Sequence, residues 1–96
     1  MIKKPSKEAS MALYREIVAL DDVDACYRFF QDLCSITELR AMEQRFDVAK
    51  LLYEGKVYTE IVEETGASSA TISRVNRVLR YGENGLMNVF EKNHEV

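Results

Sequence analysis

Apolar positions recur at three- and four-residue spacing along almost the whole chain. No segment alternates with the period of two that marks a strand, so the pattern predicts an all-α fold. A first helix is expected from Ser6 or Lys7 to about Leu20, with Leu13, Tyr14, Ile17, Val18 and Leu20 on its apolar side. Asp21 and Asp22 offer N-caps for a second helix over about 23–34. That helix has Val23, Cys26, Tyr27, Phe30 and Cys34 on one face and Ala25, Phe29, Leu33 and Ile36 roughly opposite. A helix that is apolar on two sides needs cover on two sides. Phe29 and Phe30 point to different ones, and a second subunit is a natural source of the missing cover.

A third helix follows Thr37 and runs to about Glu54. Ser35 with Glu38 fits a capping box, and Thr37 is an equally good N-cap. Leu39, Met42, Phe46, Ala49 and Tyr53 alternate at three and four residues, the seam pattern of helix against helix. Gly55 is placed to end it in a left-handed conformation. A short helix over about 58–65 stops at Gly66, another begins behind Ser68 or Ser69 and ends before Gly82, and Asn84 offers a cap for a last helix striped with Leu86, Val89 and Phe90.

Composition narrows the class. The 96 residues make one domain, with 47% hydrophobic and 30% charged residues and a single proline. Disorder is expected only at the tips, 1–7 and 92–96. No apolar run approaches the ~18 residues of a membrane span. Lys3, Lys4 and Lys7 are followed by Glu8, Arg15 and Glu16 rather than by an apolar signal segment, so the protein is read as cytoplasmic. Cys26 and Cys34, the only cysteines, fall within an apolar helical pattern, and with the one histidine, His94, they match no usual zinc spacing. No metal and no cofactor is expected.

The net charge of −3 argues against nucleic acid until its distribution is considered. From Ser68 to Tyr81 the only charged residues are Arg74, Arg77 and Arg80, so the rest of the chain carries twice the net negative charge of the whole. The positive charge is focused on one short helix. The stretch containing it, VYTEIVEETGASSATISRVNRVLRYG from Val57 to Gly82, has the layout of a helix-turn-helix: two short helices around a turn centred on glycine. Ile61, Val62 and Ala67 form the inner side of the first helix and turn, and Ile72, Val75 and Leu79 face back from the second. The outer side of the second helix is then free to enter a major groove.

That outer side is assigned Ser68, Ser69, Ala70, Thr71, Ser73, Arg74, Asn76, Arg77 and Arg80. Ser69, Ser73, Asn76, Arg77 and Arg80 share one side of the helix. Ser68, Ser69 and Arg80 lie at its ends, where phosphates flank the groove, and Ser68 with the free amides of the helix start makes a phosphate seat. Ser73, Asn76 and Arg77 lie nearer the middle, where base edges are reachable. The spacing turns Arg74 partly away.

These residues also carry a family resemblance. ELRAMEQRFDVAKLLYEGK leading into EIVEETGASSATISRVNRVL, within Thr37 to Tyr81, resembles the Trp repressor superfamily and within it the Trp-repressor-like YerC/YecD group. The resemblance implies a six-helix, intertwined homodimer: one domain over 1–96, with 1–56 and 83–96 as dimer core and 57–82 as the DNA-reading head. It also implies an effector pocket at Arg45, Arg74, Val75 and Val78. In the family, two arginines sandwich an indole, and they align with Arg45 and Arg74. A glycine that leaves room is replaced by Val75, a serine that holds the amino-acid end by Val78, and an N-cap serine by Val57. The pocket is therefore expected to be filled or reshaped. Tryptophan is not expected as effector, and an unknown small molecule is left open. The ordinary alternative for Arg45 is an ion pair with Glu43, Asp47 or a partner subunit.

Enzymatic readings find no support: there is no glycine-rich phosphate loop, no cysteine–histidine pair and no acid–base constellation. The expected function is sequence-specific binding of double-stranded DNA by a homodimeric transcriptional regulator, a repressor, on half-sites about one helical turn (~34 Å) apart. The alternative is a helix-turn-helix protein-interaction module that does not bind DNA, marked by neutralisation of Arg77 or Arg80 by Glu60, Glu63 or Glu64.

Overall fold

The computed structural model describes residues 3–94, and within them every regular element is an α-helix. In chain order these are α1 (Lys7–Val18), α2 (Val23–Leu33), α3 (Ile36–Tyr53), α4 (Tyr58–Thr65), α5 (Ser69–Tyr81) and α6 (Gly85–His94). Helix α1 begins at Lys7, as its pattern predicts, whereas α6 enters the C-terminal tip further than expected and includes Lys92 and Asn93. Residues 1, 2, 95 and 96 of the expected disordered tips lie outside the described residues.

Local chemistry sets most of the boundaries. Ser6 Oγ accepts the Ala9 amide at 3.2 Å and Asp22 Oδ1 accepts the Ala25 amide at 2.8 Å, so each supplies an acceptor to an otherwise unpaired helix-start donor. Helix α3 begins at Ile36, which leaves Ser35 in the capping place with Glu38 three residues on; Thr37 lies inside the first turn. At its other end Gly55 turns left-handed (φ +86°). The Lys56 amide reaches Leu51 O at 3.0 Å and the Gly55 amide reaches Leu52 O at 3.1 Å, the paired bonds of a Schellman ending.

Helix α5 stops for a different reason. Gly82 has φ −86°, which any residue can adopt, but a Cβ there would stand 2.5 Å from the Val78 carbonyl oxygen. Only a residue without a side chain fits. Asn84 takes φ +67°, an excursion that asparagine tolerates better than most residues, and its carbonyl accepts the Asn88 amide that opens α6.

The chain packs as two compact units, one ending at Ile36 and the other beginning at Thr37. In the second unit a core gathers Val48, Ala49 and Leu52 from α3, Ile61 from α4, Ala67 from the turn, Ile72, Val75 and Leu79 from α5, and Phe90 from α6. The Phe90 ring lies 5.6 Å from that of Phe46 and 5.3 Å from that of Tyr53, centroid to centroid. The seam expected along α3 is only partly used. Leu39 and Ala49 are buried, but Met42 and Phe46 are 40% and 43% exposed, because the core draws on Val48 and Leu52 instead. Val62, expected on the inner side of α4, is likewise exposed; Ile61 alone takes that role.

The first unit has no comparable core. Neither α1 nor α2 buries a residue, and Val18 and Val23 are 84% and 85% exposed. Phe29 and Phe30 do not diverge as expected. Their rings meet edge to face at 5.5 Å, since consecutive helical residues are only about 100° apart and two large rings can bend towards each other.

The division between used and unused apolar positions on α4 and α5 is measurable. Ile72→Ala empties a site with no exposure and should cost about 2–5 kcal/mol, whereas Val62→Ala on the exposed side should cost under about 1 kcal/mol. Urea denaturation midpoints of the two variants should differ accordingly, and similar shifts would contradict the assignment of Val62 to the surface.

Candidate nucleic-acid interface

The two helices α4 and α5 are held by a turn of three residues, and each has a separate duty. Gly66 takes φ +71°, a conformation that costs a residue with a side chain about 1–2 kcal/mol, and its amide returns to Val62 O at 2.9 Å. Ala67 is buried beneath the turn. Ser68 caps α5: its Oγ accepts the Thr71 amide at 3.1 Å and donates to Thr71 Oγ1 at 3.1 Å.

Two further residues, not singled out from the sequence, fasten the same corner. Thr65 Oγ1 donates to Ile61 O at 2.7 Å and accepts the Ala67 amide at 3.1 Å, linking the last turn of α4 to the residue after the glycine. From α3, the Gln44 side-chain amide donates to Thr65 O at 3.1 Å. A threonine directly before a helix-ending glycine is a local signal that was available in the sequence. The Gln44 contact spans 21 residues and carries no such signal. Val57, in the capping place of α4, makes no side-chain cap bond, as its aliphatic chemistry requires.

Burial of Ile72, Val75 and Leu79 points one face of α5 inward and turns the rest out. Ser68, Ser69, Ala70, Ser73, Arg74, Arg77 and Arg80 are exposed, and Thr71 and Asn76 are half-buried. The helix carries no carboxylate. Among the described residues, none of Arg74, Arg77 and Arg80 has a carboxylate within ion-pair distance, Glu60, Glu63 and Glu64 of α4 included. The result is a ridge of three uncompensated guanidiniums on the outward side of a fixed helix.

Two details differ from expectation. Asn76 does not stand free in the exposed middle; its Oδ1 accepts Arg80 Nε at 3.1 Å. The Ser68 hydroxyl is committed to Thr71 as both acceptor and donor, so a phosphate at this helix start would meet the remaining first-turn amides rather than that hydroxyl.

The residues expected to line an effector pocket are brought together. Arg45, Arg74, Val75 and Val78, with Met42, Phe46 and Leu86, border a hollow of about 480 Å³. The expectation that valine would fill it does not hold: Val75 is buried in the wall and Val78 is half-exposed at the side, and the space remains open. Aliphatic groups form its α5 side. Arg45 has no ion pair with Glu43 or Asp47 among the described residues, which leaves, of its ordinary alternative, the pairing with a partner subunit. No group of histidine, cysteine or acidic side chains that could hold a metal ion occurs among the described residues, and no described helix is long and apolar enough to cross a membrane.

Comparison with known proteins extends the likeness beyond the segment that first showed it. The profile of the Trp repressor protein family matches residues 8–94. The uncharacterised protein YerC of Bacillus subtilis strain 168 is 54% identical over 70 residues, covering 73% of this chain and 67% of its own. A TrpR-like protein from Eubacterium eligens superposes with a TM-score of 0.87 at 48% identity, covering 94% of this chain and 93% of that one. A candidate Trp repressor from Staphylococcus aureus superposes with a TM-score of 0.86 at 37% identity, covering 93% and 89%. With most of its length matched in sequence and in backbone, this chain belongs to the Trp repressor family.

Proposed function

We propose that this chain is a double-stranded-DNA-binding transcriptional regulator, a cytoplasmic repressor that works as a homodimer and inserts α5 into the major groove. One observation carries the reading: a capped, carboxylate-free helix, fixed through its buried face, presents three arginines that no acid of its own chain compensates. Phosphate contacts set affinity and base-edge contacts set sequence preference. Arg77, on the exposed side of α5, is assigned to base edges, and Arg80, in its last turn, to phosphate. The interaction-module alternative required Arg77 or Arg80 to be neutralised from α4, and no such pairing favours it.

The homodimer rests on a second observation. Helices α1 and α2 bury nothing within the chain, yet Tyr27, Leu33 and Ile36 are 61%, 53% and 71% exposed. Apolar surface of that extent is a recurrent mark of association. Residues 1–56 and 83–96 are assigned to the dimer core and 57–82 to the head, with two α5 helices meeting half-sites about one helical turn (~34 Å) apart.

The hollow beside α5 is assigned no tryptophan. Its Val75 and Val78 walls offer no hydroxyl, and its arginines no acceptor, to the ammonium of an amino acid, and burying such a group without a partner is costly.

Three outcomes are expected. Thermal unfolding should shift to higher temperature as protein concentration rises, as it must when folding and association are linked; a midpoint unchanged over a hundredfold dilution, with monomer mass by light scattering, would remove the dimer. Tryptophan at millimolar concentration should leave both the unfolding midpoint and DNA affinity unchanged, and micromolar binding in titration calorimetry would overturn that assignment. The decisive experiment is a set of binding isotherms at several salt concentrations, on a duplex selected by the protein from a random pool and on its scrambled counterpart. Arg77→Ala should lose about 1–3 kcal/mol on the selected duplex and relax preference at one position. Arg80→Ala should weaken both duplexes equally and flatten the salt dependence by about one unit per subunit. If neither variant alters binding, α5 is not the recognition element.

A further inference from the structure

The contact between Asn76 and Arg80 changes what Asn76 is for. Asparagine on a recognition helix is ordinarily credited with adenine readout, because its side-chain amide matches the donor and acceptor on that base's major-groove edge. Here the acceptor half of that amide is already engaged: Asn76 Oδ1 takes the Arg80 Nε proton at 3.1 Å, one helical turn away. Asn76 is half-buried on the flank of the inward face, while Arg80 is exposed in the last turn of α5. An asparagine on that flank, with its acceptor already engaged, is a poor probe of the groove and a good anchor for the longer side chain one turn on.

We infer that Asn76 is a positioning residue that holds the Arg80 guanidinium as a two-pronged phosphate clamp. The inference rests on the DNA-binding reading of α5. An exposed arginine samples many rotamers, and whatever it grips must offset the loss of that freedom. Fixing Nε to Asn76 removes part of the cost before DNA arrives. It also selects which edge of the guanidinium is offered. Nε is engaged, so the side-on edge that uses it is blocked, and the end-on edge with both terminal nitrogens remains. Two parallel N–H donors on one cationic group match two oxygens of a phosphate. No carboxylate of the described chain competes for those donors.

Two measurements test the assignment. In the free protein, NMR should show the Arg80 Nε proton exchanging with water more slowly than that of Arg77, and Asn76→Ala should abolish the difference. In binding, Asn76→Ala, Arg80→Ala and the double variant are compared on a duplex selected by the wild-type protein from a random pool and on its scrambled form. Asn76→Ala should weaken both duplexes alike, by about fivefold. It should add nothing once Arg80 is alanine. Should Asn76→Ala fail to fold, Asn76→Ser replaces it, since a serine hydroxyl is polar but too short to reach the guanidinium. A loss confined to the selected duplex, or one that persists in full in the Arg80→Ala background, would overturn the positioning role and return Asn76 to base readout. Equal exchange rates for the two arginines in the wild type would also overturn it. Failure of the wild type to enrich any duplex is a different result, for it removes the DNA-binding reading itself and the clamp with it.

Discussion

Everything that α5 presents to its surroundings depends on the burial of Ile61 and Ile72 on either side of a left-handed glycine. Both side chains are wholly inaccessible, and only the three residues 66–68 separate the end of α4 from the start of α5. A chain reversing that sharply needs a residue at positive φ, and Gly66 supplies it. The glycine alone would leave a loose corner. Thr65 ties the carbonyl before the turn to the amide after it, and Gln44 fastens Thr65 to α3, so the turn is held from within and from a neighbouring helix. With the inward face of α5 fixed in this way, its outward residues are fixed in rotation too. An arginine's task on this helix is therefore set by its place in the 3.6-residue repeat.

Charge placement explains how an acidic protein can present a basic edge. At neutral pH a net charge of −3 repels a polyanion at long range, and screening over about 8 Å at physiological salt confines that repulsion to near approach. Within that range, the potential met by DNA is the potential of whichever surface faces it. Helix α5 contributes three guanidiniums and no carboxylate, whereas α4 contributes Glu60, Glu63 and Glu64. Under the DNA-binding reading, the acids make other approaches unfavourable and leave the arginine ridge as the side to be presented, so that acidity elsewhere in the chain serves orientation at some loss of overall affinity.

How far the chain could be read before its structure depended on the range of the forces involved. Helix number, the ends at Gly55 and Gly66, the caps at Asp22 and Ser68, and the inward triad Ile72, Val75 and Leu79 follow from interactions within four or five residues, and all are present. The readings that changed required knowledge of what lies across a gap. Met42 and Phe46 fit a seam by spacing, but spacing cannot say which of two adjacent apolar stripes on α3 meets the core. Val62 and Ile61 are equally apolar neighbours on α4, and only packing distinguishes them. Val75 and Val78 leave the hollow beside Arg45 and Arg74 open, since how deep each valine sits is set by packing and not by its volume alone. Asn76 is the instructive case. Its one-turn spacing to Arg80 was visible throughout, yet the pairing mattered only once Asn76 was found half-buried, with its carbonyl oxygen turned along the helix.

The two compact units carry unequal shares of the physics. The unit containing α3 to α6 owns nearly all of the buried side chains, and so can set the geometry of α5 by itself. The unit containing α1 and α2 has helix caps but no fully buried residue; its apolar side chains are at most half-buried. Caps worth about 1 kcal/mol each cannot hold two helices of 12 and 11 residues in water, where isolated helices of that length are marginal. Under the homodimer reading, the missing interior is supplied by a second copy, and order in α1 and α2 then becomes the same equilibrium as assembly. The consequence for DNA is quantitative. A single α5 with three arginines makes few phosphate contacts, and each contact adds about one unit to the salt dependence. Doubling the helix doubles that slope and joins two modest half-site interactions into one. An exposed apolar N-terminal unit and a basic recognition helix are in this reading parts of one device, because the first brings two copies of the second onto the same duplex.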